Sequence, residues 1–131
     1  MTAPKTILFI NDSQAFLNVF RAHFEHRGYG VLTASTGKDA LELLGGKRVD
    51  AVVLEYQVTG MLGAAAFQVV KRVALGVPVL MLSGRTATIP QDVRNAATEV
   101  LTKGMTVSEL VQSVERILEA KIGQKLYRGA A

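Results

Sequence analysis

The 131-residue chain contains no cysteine and no tryptophan. The missing cysteines exclude disulfide frameworks, thiolate nucleophiles and cysteine-ligated zinc. The missing tryptophans remove one of the aromatic side chains that could stack on a flavin ring. The apolar run near the N-terminus, residues 7–10, is too short for a signal-peptide core or a membrane span. A cytoplasmic location without membrane attachment is therefore expected.

Charge of either sign is also modest. Charged residues make up 20% of the chain, hydrophobic residues 49%, and the net charge is +4. The densest basic stretch contains only Lys121, Lys125 and Arg128, near the C-terminus. Scattered surface lysine and arginine explain this excess best, and a nucleic-acid-associated role is kept as the remote alternative.

Strand-like apolar runs alternate with helical periodicity along the whole sequence. Five such strands and five helices in strict alternation predict an α/β protein built on a parallel sheet. No linker, repeat or low-complexity segment interrupts the pattern. One domain is therefore expected over residues 1–131, with its core at about 5–120 and a short basic tail at 121–131.

Local signals predict which helix faces are buried and where helices begin or end. Helical spacing predicts one apolar face on the first helix, formed by Phe16, Val19, Phe20, His23 and Phe24. It predicts another on the third helix, formed by Phe67, Val70, Val73 and Ala74. Gly28 is the expected left-handed cap after the first helix, and Pro90 the first-turn proline of the fourth. Thr36 and Thr106 are predicted N-cap residues.

Four apolar runs end on polar residues. Asn11 and Asp12 follow the first predicted strand, Glu55 follows the third, Ser83 the fourth and Lys103 the fifth. The carboxyl ends of parallel strands meet at one edge of a sheet, where α/β proteins bind ligands. Carboxylates, a hydroxyl and an ammonium group that converge there are typical of a phosphoryl and metal site.

This placement resembles the receiver domain of two-component response regulators, from about residue 5 to residue 120. Further matches are Gly28 and Tyr29 before the second strand, the segment 34–41, and Met61 and Gly63 in the loop after the third strand. The resemblance implies a doubly wound, flavodoxin-like (βα)5 fold. Its five parallel strands would lie in the order 2-1-3-4-5.

In that family an aspartate takes a phosphoryl group from a phosphohistidine, while Mg²⁺ and a lysine stabilise the moving charge. The resemblance places the acid pair on Asn11 and Asp12, the phosphoacceptor on Glu55, the switch hydroxyl on Ser83 and the lysine on Lys103. One carboxylate of the pair has thus become an amide. The acceptor carboxylate also reaches one methylene further than an aspartate would.

Other positions depart from the family pattern as well. The usual methionine-proline pair falls on Val58 and Thr59, and the proline after the lysine falls on Gly104, so no cis-proline turn is expected there. The aromatic that often switches with phosphorylation falls on Val100. The resemblance therefore implies an intact scaffold with depleted phosphotransfer chemistry.

Phosphorylation is expected to be lost, because a nucleophile misplaced by roughly an ångström can cost about a hundredfold in rate. Magnesium would bind weakly or not at all through Asp12 and Glu55, and no other cofactor is expected. Two readings stay open. Glu55 could pair with Lys103 and Ser83 and imitate the phosphorylated aspartate permanently. The second, favoured because glutamate carries one charge where a phosphoryl group carries nearly two, is a fixed docking module.

Enzymatic and cofactor-carrying functions fit less well. A flavodoxin-type phosphate loop needs several hydroxyls and glycines, and residues 11–14 supply one serine. An aspartate-nucleophile phosphohydrolase needs two aspartates at its nucleophile strand, which residues 55–57 do not supply. His23 and His26 lie three residues apart on the first helix, but the sequence places no further metal ligands beside them. The chain is not expected to be an enzyme.

The output is expected to come through contact with another signalling protein, either a histidine kinase or an output protein. The last predicted helix ends about ten residues before the C-terminus, so a stand-alone receiver without a second domain is expected. The usual contact surface of receivers falls on about residues 88–120, with exposed candidates Arg94, Asn95, Glu109 and Gln112. A homodimer through the same face is the first alternative.

Overall fold

The computed structural model describes residues 4–58, 61–84 and 89–130, and for 57–58, 61–64 and 121–130 it describes the backbone. Its strands, numbered along the chain, are β1 (Thr6–Ile10), β2 (Gly30–Ala34), β3 (Ala51–Glu55), β4 (Gln57–Val58), β5 (Met61–Leu62), β6 (Val79–Ser83) and β7 (Glu99–Thr102). Its helices are α1 (Gln14–His26), α2 (Gly37–Gly46), α3 (Gly63–Val73), α4 (Gln91–Ala96) and α5 (Val107–Ala130).

Five of the strands form one parallel sheet in the order β2-β1-β3-β6-β7. Since β6 and β7 are the fourth and fifth strands of this sheet, the predicted order 2-1-3-4-5 and the doubly wound α/β class are confirmed. The sequence did not predict the short antiparallel pairing of β4 with β5, where Val58 lies opposite Met61.

The core lies on both faces of the sheet. Along β1, Ile7 and Phe9 point into a cluster with α1 and α5, while Leu8 and Ile10 point into a cluster with α2, α3 and α4. This alternation follows from the two-residue period of a strand, and burial of both faces explains why β1 is apolar from Ile7 to Ile10.

Capping residues fix where α1, α2 and α5 begin. The Ser13 hydroxyl accepts from the backbone N–H of Phe16 at 3.4 Å, Thr36 accepts from Asp39 at 3.2 Å, and Thr106 accepts from Glu109 at 3.1 Å. These bonds satisfy donors that have no partner within the helix and confirm the two predicted threonine caps. The left-handed cap after α1 is confirmed as well, with Gly28 at φ +91°.

The predictions of which faces of α1 and α3 are buried were partly wrong. On α1 the buried residues are Leu17, Phe20 and Phe24, whereas Phe16 is 44% exposed, Val19 is 40% exposed and His23 is exposed. The cause is that α1 packs against the sheet mainly through Phe20 and Phe24, so that Phe16 and Val19 turn toward α5. On α3, Phe67, Val70 and Ala74 are buried as predicted, but Val73 is 45% exposed.

Two predicted boundaries also need correction. Pro90 is the N-cap residue of α4 rather than a first-turn proline, since the helix begins at Gln91. Helix α5 continues to Ala130, so residues 121–130 extend the last helix instead of following it. Thr59 and residue 88 at the start of the proposed contact surface lie outside the described residues, as do the side chains of the tail residues Lys121, Lys125 and Arg128.

The described residues contain no cis peptide bond, and Gly104 follows Lys103 in the turn between β7 and α5. No helix in the described part of the chain is both long and apolar enough to cross a bilayer.

Candidate functional site

Sheet register brings the four polar positions to one edge. Asn11 directly follows β1, and its N–H donates to the carbonyl of Ala34 at 3.0 Å. Glu55 is the last residue of β3 and lies beside Leu82 of β6. Ser83 ends β6, and its carbonyl accepts from the N–H of Lys103 at 3.0 Å. The carboxylate, the hydroxyl and the ammonium group therefore come from adjacent strands, as the polar strand ends predicted.

Glu55 and Lys103 form an ion pair. The Lys103 Nζ lies 3.0 Å from the Glu55 Oε1, which confirms the contact expected from the strand ends. The two partners differ in burial: the Glu55 side chain is 4% exposed and the Lys103 side chain is 37% exposed. The carboxylate thus lies inside the sheet edge and the ammonium group covers it from the solvent side. Because one partner is buried, water and salt screen the attraction between these two charges less than they would in a fully exposed pair.

Asn11 is buried, with 2% of its surface exposed, and its side chain is turned toward the start of α1. The Asn11 Oδ1 accepts a hydrogen bond from the backbone N–H of Ser13 at 2.8 Å. Because that partner is a donor, the amide oxygen must face it and the amide nitrogen must face the other way. The Asn11 Nδ2 has no hydrogen-bond partner among the described residues.

These orientations do not fit a resident magnesium ion. Magnesium prefers oxygen ligands, but the Asn11 oxygen faces Ser13 and one oxygen of Glu55 faces the Lys103 ammonium group. Asp12 is exposed, and in the described part of the chain no three carboxylate, imidazole or thiol groups are gathered closely enough to hold a metal. As arranged, the site is a carboxylate–ammonium pair beside a buried amide.

The remaining candidate residues lie where the strand order puts them. Val100, at the position of the switch aromatic, is partly buried and packs on the core cluster that contains α4. Arg94 and Asn95 on α4 and Glu109 and Gln112 on α5 are exposed. These four side chains are therefore available on the predicted contact surface, within its described part.

The histidines of α1 take no part in the strand-end site. His23 and His26 are both exposed, and the His23 Nδ1 lies 3.0 Å from the carbonyl of Val19. Sequence reasoning missed a cleft beside Asn11 that is lined by apolar residues of α1 and α5. The one available signal was the pair Phe16 and Val19, which the helical period had assigned to the core.

Comparison with known proteins shows which family this chain belongs to. The model of the response regulator receiver domain matches residues 7–115. The transcriptional regulatory protein GlrR of Escherichia coli K12 is 30% identical over 121 residues, which cover 88% of this chain and 27% of that protein. This chain therefore spans about a quarter of the length of that relative.

Solved structures agree on the fold. A CheY-like receiver domain protein from Methanospirillum hungatei superposes with a TM-score of 0.86 at 18% identity, covering 92% of this chain and 98% of the other. A response regulator from Burkholderia pseudomallei superposes with a TM-score of 0.75 at 21% identity, covering 95% and 74%. The chain belongs to the response regulator receiver domain family of two-component signalling. Members of this family generally act as signalling modules rather than as catalysts, and they interact with histidine kinases and output domains.

Proposed function

We propose that this chain is a receiver that acts through protein–protein contact without being phosphorylated, as a fixed docking module in a two-component pathway. Glu55 stands where the family has its phosphoacceptor aspartate. The partner would be a histidine kinase or an output protein bound through about residues 88–120, with a homodimer through the same face as the alternative. The proposal includes a cytoplasmic location, no catalytic activity of its own and no role in nucleic-acid or membrane binding.

The observation that carries this proposal is the buried ion pair of Glu55 with Lys103, whose charged atoms lie 3.0 Å apart. In a receiver that is phosphorylated, the lysine stabilises charge on the arriving phosphoryl group. Here the Lys103 ammonium group already holds a carboxylate that is 96% buried, given its 4% exposure. A phosphodonor would have to separate this pair before it could reach the carboxylate.

The arrangement around Asn11 supports weak magnesium affinity. The Burkholderia response regulator was solved with a phosphorylated aspartic acid, a calcium ion and citrate. In this chain Glu55 stands at the phosphoacceptor position and Asn11 at one position of the acid pair, and the Asn11 oxygen already accepts from Ser13. An amide also lacks the full negative charge that favours a divalent cation. We therefore propose that magnesium is at most a weak ligand of Asp12 and Glu55.

The same ion pair favours a second candidate, in which Glu55 imitates the phosphorylated aspartate. A carboxylate held at 3.0 Å from Lys103 occupies part of the space that a phosphoryl group would take. It carries only one charge, however, and Val100 supplies no aromatic side chain that could change rotamer in response. The fixed module therefore remains the main proposal.

Intact-mass spectrometry after incubation with acetyl phosphate and magnesium tests the proposal. We expect the wild-type chain to gain no phosphoryl group, because the buried Glu55 carboxylate is paired with Lys103 and extends one methylene further than an aspartate carboxylate would. The double variant Asn11→Asp/Glu55→Asp restores both short acids and should gain one phosphoryl group. The single variants show which of the two positions limits the reaction.

A matched control separates restored chemistry from added charge. The variant Asn18→Asp/Glu55→Asp carries the same net charge, but its new carboxylate lies on the exposed surface of α1. It should accept less phosphate than the double variant at Asn11. A stable phosphoryl adduct on Glu55 of the wild-type chain would overturn the proposal.

A further inference from the structure

A cleft of about 120 Å³ lies between α1 and α5, next to the strand-end site. Its walls are apolar and come from α1, β6, the turn before α5 and α5 itself: Phe16, Val19, Phe20, Leu82, Met105 and Leu110. Two of these residues keep large apolar surface in contact with solvent, Phe16 at 44% and Val19 at 40%. A closed cavity of about 150 Å³ with such walls holds benzene, so this smaller cleft, which is open to solvent along Phe16 and Val19, encloses only part of an aromatic ring.

One end of the cleft is polar, and we call this end, formed by Lys103 and Asn11, the head of the cleft. Lys103 and Asn11 line it along with the apolar residues, and Lys103 is the only charged side chain among its described lining residues. The Lys103 side chain is 37% exposed, and an ammonium group has three donors, of which the contact with Glu55 uses one. A negatively charged group at this end of the cleft would therefore lie beside the Lys103 ammonium group, and no acidic residue is among the described lining residues.

Asn11 supplies a second and independent indication. Its side chain is 98% buried, given its 2% exposure, and its amide nitrogen has no hydrogen-bond partner among the described residues. A buried donor without a partner is unfavourable, because the hydrogen bond that it made to water in the unfolded chain has not been replaced. An acceptor on a bound molecule, reached after a small rotation of the side chain, would satisfy it.

We propose that this cleft binds a small organic monocarboxylate, with its apolar body between α1 and α5 and its carboxylate beside Lys103 and Asn11. The apolar walls favour a ligand with an apolar body, because they remove its apolar surface from water. The Lys103 ammonium group and the Asn11 amide favour a carboxylate, because both can donate hydrogen bonds to it. The site does not depend on whether Glu55 accepts phosphate. Because the ligand would share Lys103 with Glu55, its binding would act on the ion pair of the strand-end site.

Benzoate is the probe that tests this proposal, in a titration of the full chain followed by amide NMR without any phosphodonor. We expect saturable shifts at residues 103–110 and in α1. Benzyl alcohol lacks the charge and acetate lacks the ring, so each should bind at least about tenfold more weakly than benzoate at equal ionic strength. Equal binding of acetate would mean that Lys103 attracts any anion, and would overturn the proposal.

Two kinds of variant test the contributions of the apolar walls and of the head to binding separately. Val107, which also lines the cleft, is replaced by the larger phenylalanine to fill it, and Val73→Phe makes the same change on the exposed surface of α3. We expect Val107→Phe to abolish benzoate binding and Val73→Phe to keep it. The amide spectrum of each variant shows whether it is folded.

A charge variant remains informative even if the filled variant does not fold. Asn11→Asp removes the donor and places a negative charge at the head, so benzoate should bind at least about tenfold more weakly while benzyl alcohol is little affected. Asn18→Asp, with the same charge on the outer surface of α1, should bind like the wild type. Unchanged benzoate affinity in Asn11→Asp, or no shifts at the cleft in the wild type, would refute the proposal.

Discussion

At the scale of single residues, the orientation of one buried amide decides what the strand-end site can bind. The Asn11 oxygen accepts from Ser13 at 2.8 Å, and the nitrogen of the same amide is buried without a hydrogen-bond partner among the described residues. An aspartate at this position would present a second oxygen where the wild-type chain presents a donor. The substitution therefore changes both the charge and the hydrogen-bonding character of this position.

The first residue-scale prediction concerns magnesium. We expect calorimetric titration of the wild-type chain to show no binding at physiological magnesium, whereas Asn11→Asp should raise the affinity at least about tenfold through the added charge. Asn18→Asp is the matched control, because it adds the same charge on the exposed surface of α1. A sub-millimolar dissociation constant in the wild type would show that Asp12 and Glu55 suffice for binding.

At the scale of secondary-structure elements, glycines provide a test of how helix ends are specified. Gly28 after α1 has φ +91°, whereas Gly45 lies inside α2, and a methyl group added at either would meet no atom within 4 Å. The two positions therefore differ in backbone conformation and not in available space. Alanine disfavours the left-handed region by about 1–2 kcal/mol and favours a helix over glycine by about 1 kcal/mol.

We expect Gly28→Ala to lower the free energy of unfolding by about 1–2 kcal/mol and Gly45→Ala to raise it by up to about 1 kcal/mol. Urea denaturation of the two variants and the wild type measures both changes. If both substitutions shifted stability in the same direction, backbone conformation at Gly28 would not be the controlling factor.

A polar cluster joins the end of α1 to α5. The Tyr29 hydroxyl donates to the Glu115 Oε2 at 3.0 Å, and the Arg27 Nη2 lies 2.7 Å from the Glu115 Oε1. Burial, and then the hydrogen bond and charge of Glu115, raise the pKa of Tyr29 from 10.0 to about 12. The folded chain thus keeps the phenol proton at a pH where the unfolded chain has lost it.

The stabilisation from this phenol is fully present below pH 10 and is lost as the pH rises through about 12, so the free energy of unfolding should fall across that window. Tyr29→Phe should flatten the fall, since it removes the titrating group. Tyr56→Phe removes one phenol elsewhere and should keep it. Denaturation at several pH values measures the effect, and an identical pH dependence in Tyr29→Phe and the wild type would contradict this assignment.

The elements also show how far the sequence could go. The parallel sheet and its strand-end residues could be predicted, because alternating apolar runs with polar ends require only local pattern and the rule for parallel strands. The contact of Glu55 with Lys103 followed from this rule. The exposure of Phe16 and Val19 could not, since it depends on how far α1 lies from α5 and not on the helical period. The orientation of the Asn11 amide could not be predicted either, because it depends on a single backbone donor, the N–H of Ser13.

At the scale of the whole molecule, two helical layers cover a sheet whose one edge carries the candidate site. The helices α1 and α5 border the cleft, while α4, β7 and the first half of α5 belong to the proposed contact surface at about residues 88–120. Lys103 follows β7 directly and precedes α5, so it connects the buried carboxylate of Glu55 with that surface.

The last prediction asks whether the ion pair controls the surface. Lys103→Ala removes the ammonium group that lies 3.0 Å from the buried Glu55 carboxylate, and we expect it to lower the free energy of unfolding by about 1–3 kcal/mol. If the chain is a fixed docking module, its self-association in sedimentation and the amide exchange of residues 89–120 should stay like those of the wild type. If Glu55 imitates a phosphorylated aspartate, self-association should be lost while the fold survives. Lys47→Ala, which removes an exposed lysine after α2, controls for the change in net charge. We expect association to persist in both variants, because a single carboxylate charge is a weak substitute for a phosphoryl group and Val100 has no aromatic ring to transmit its effect.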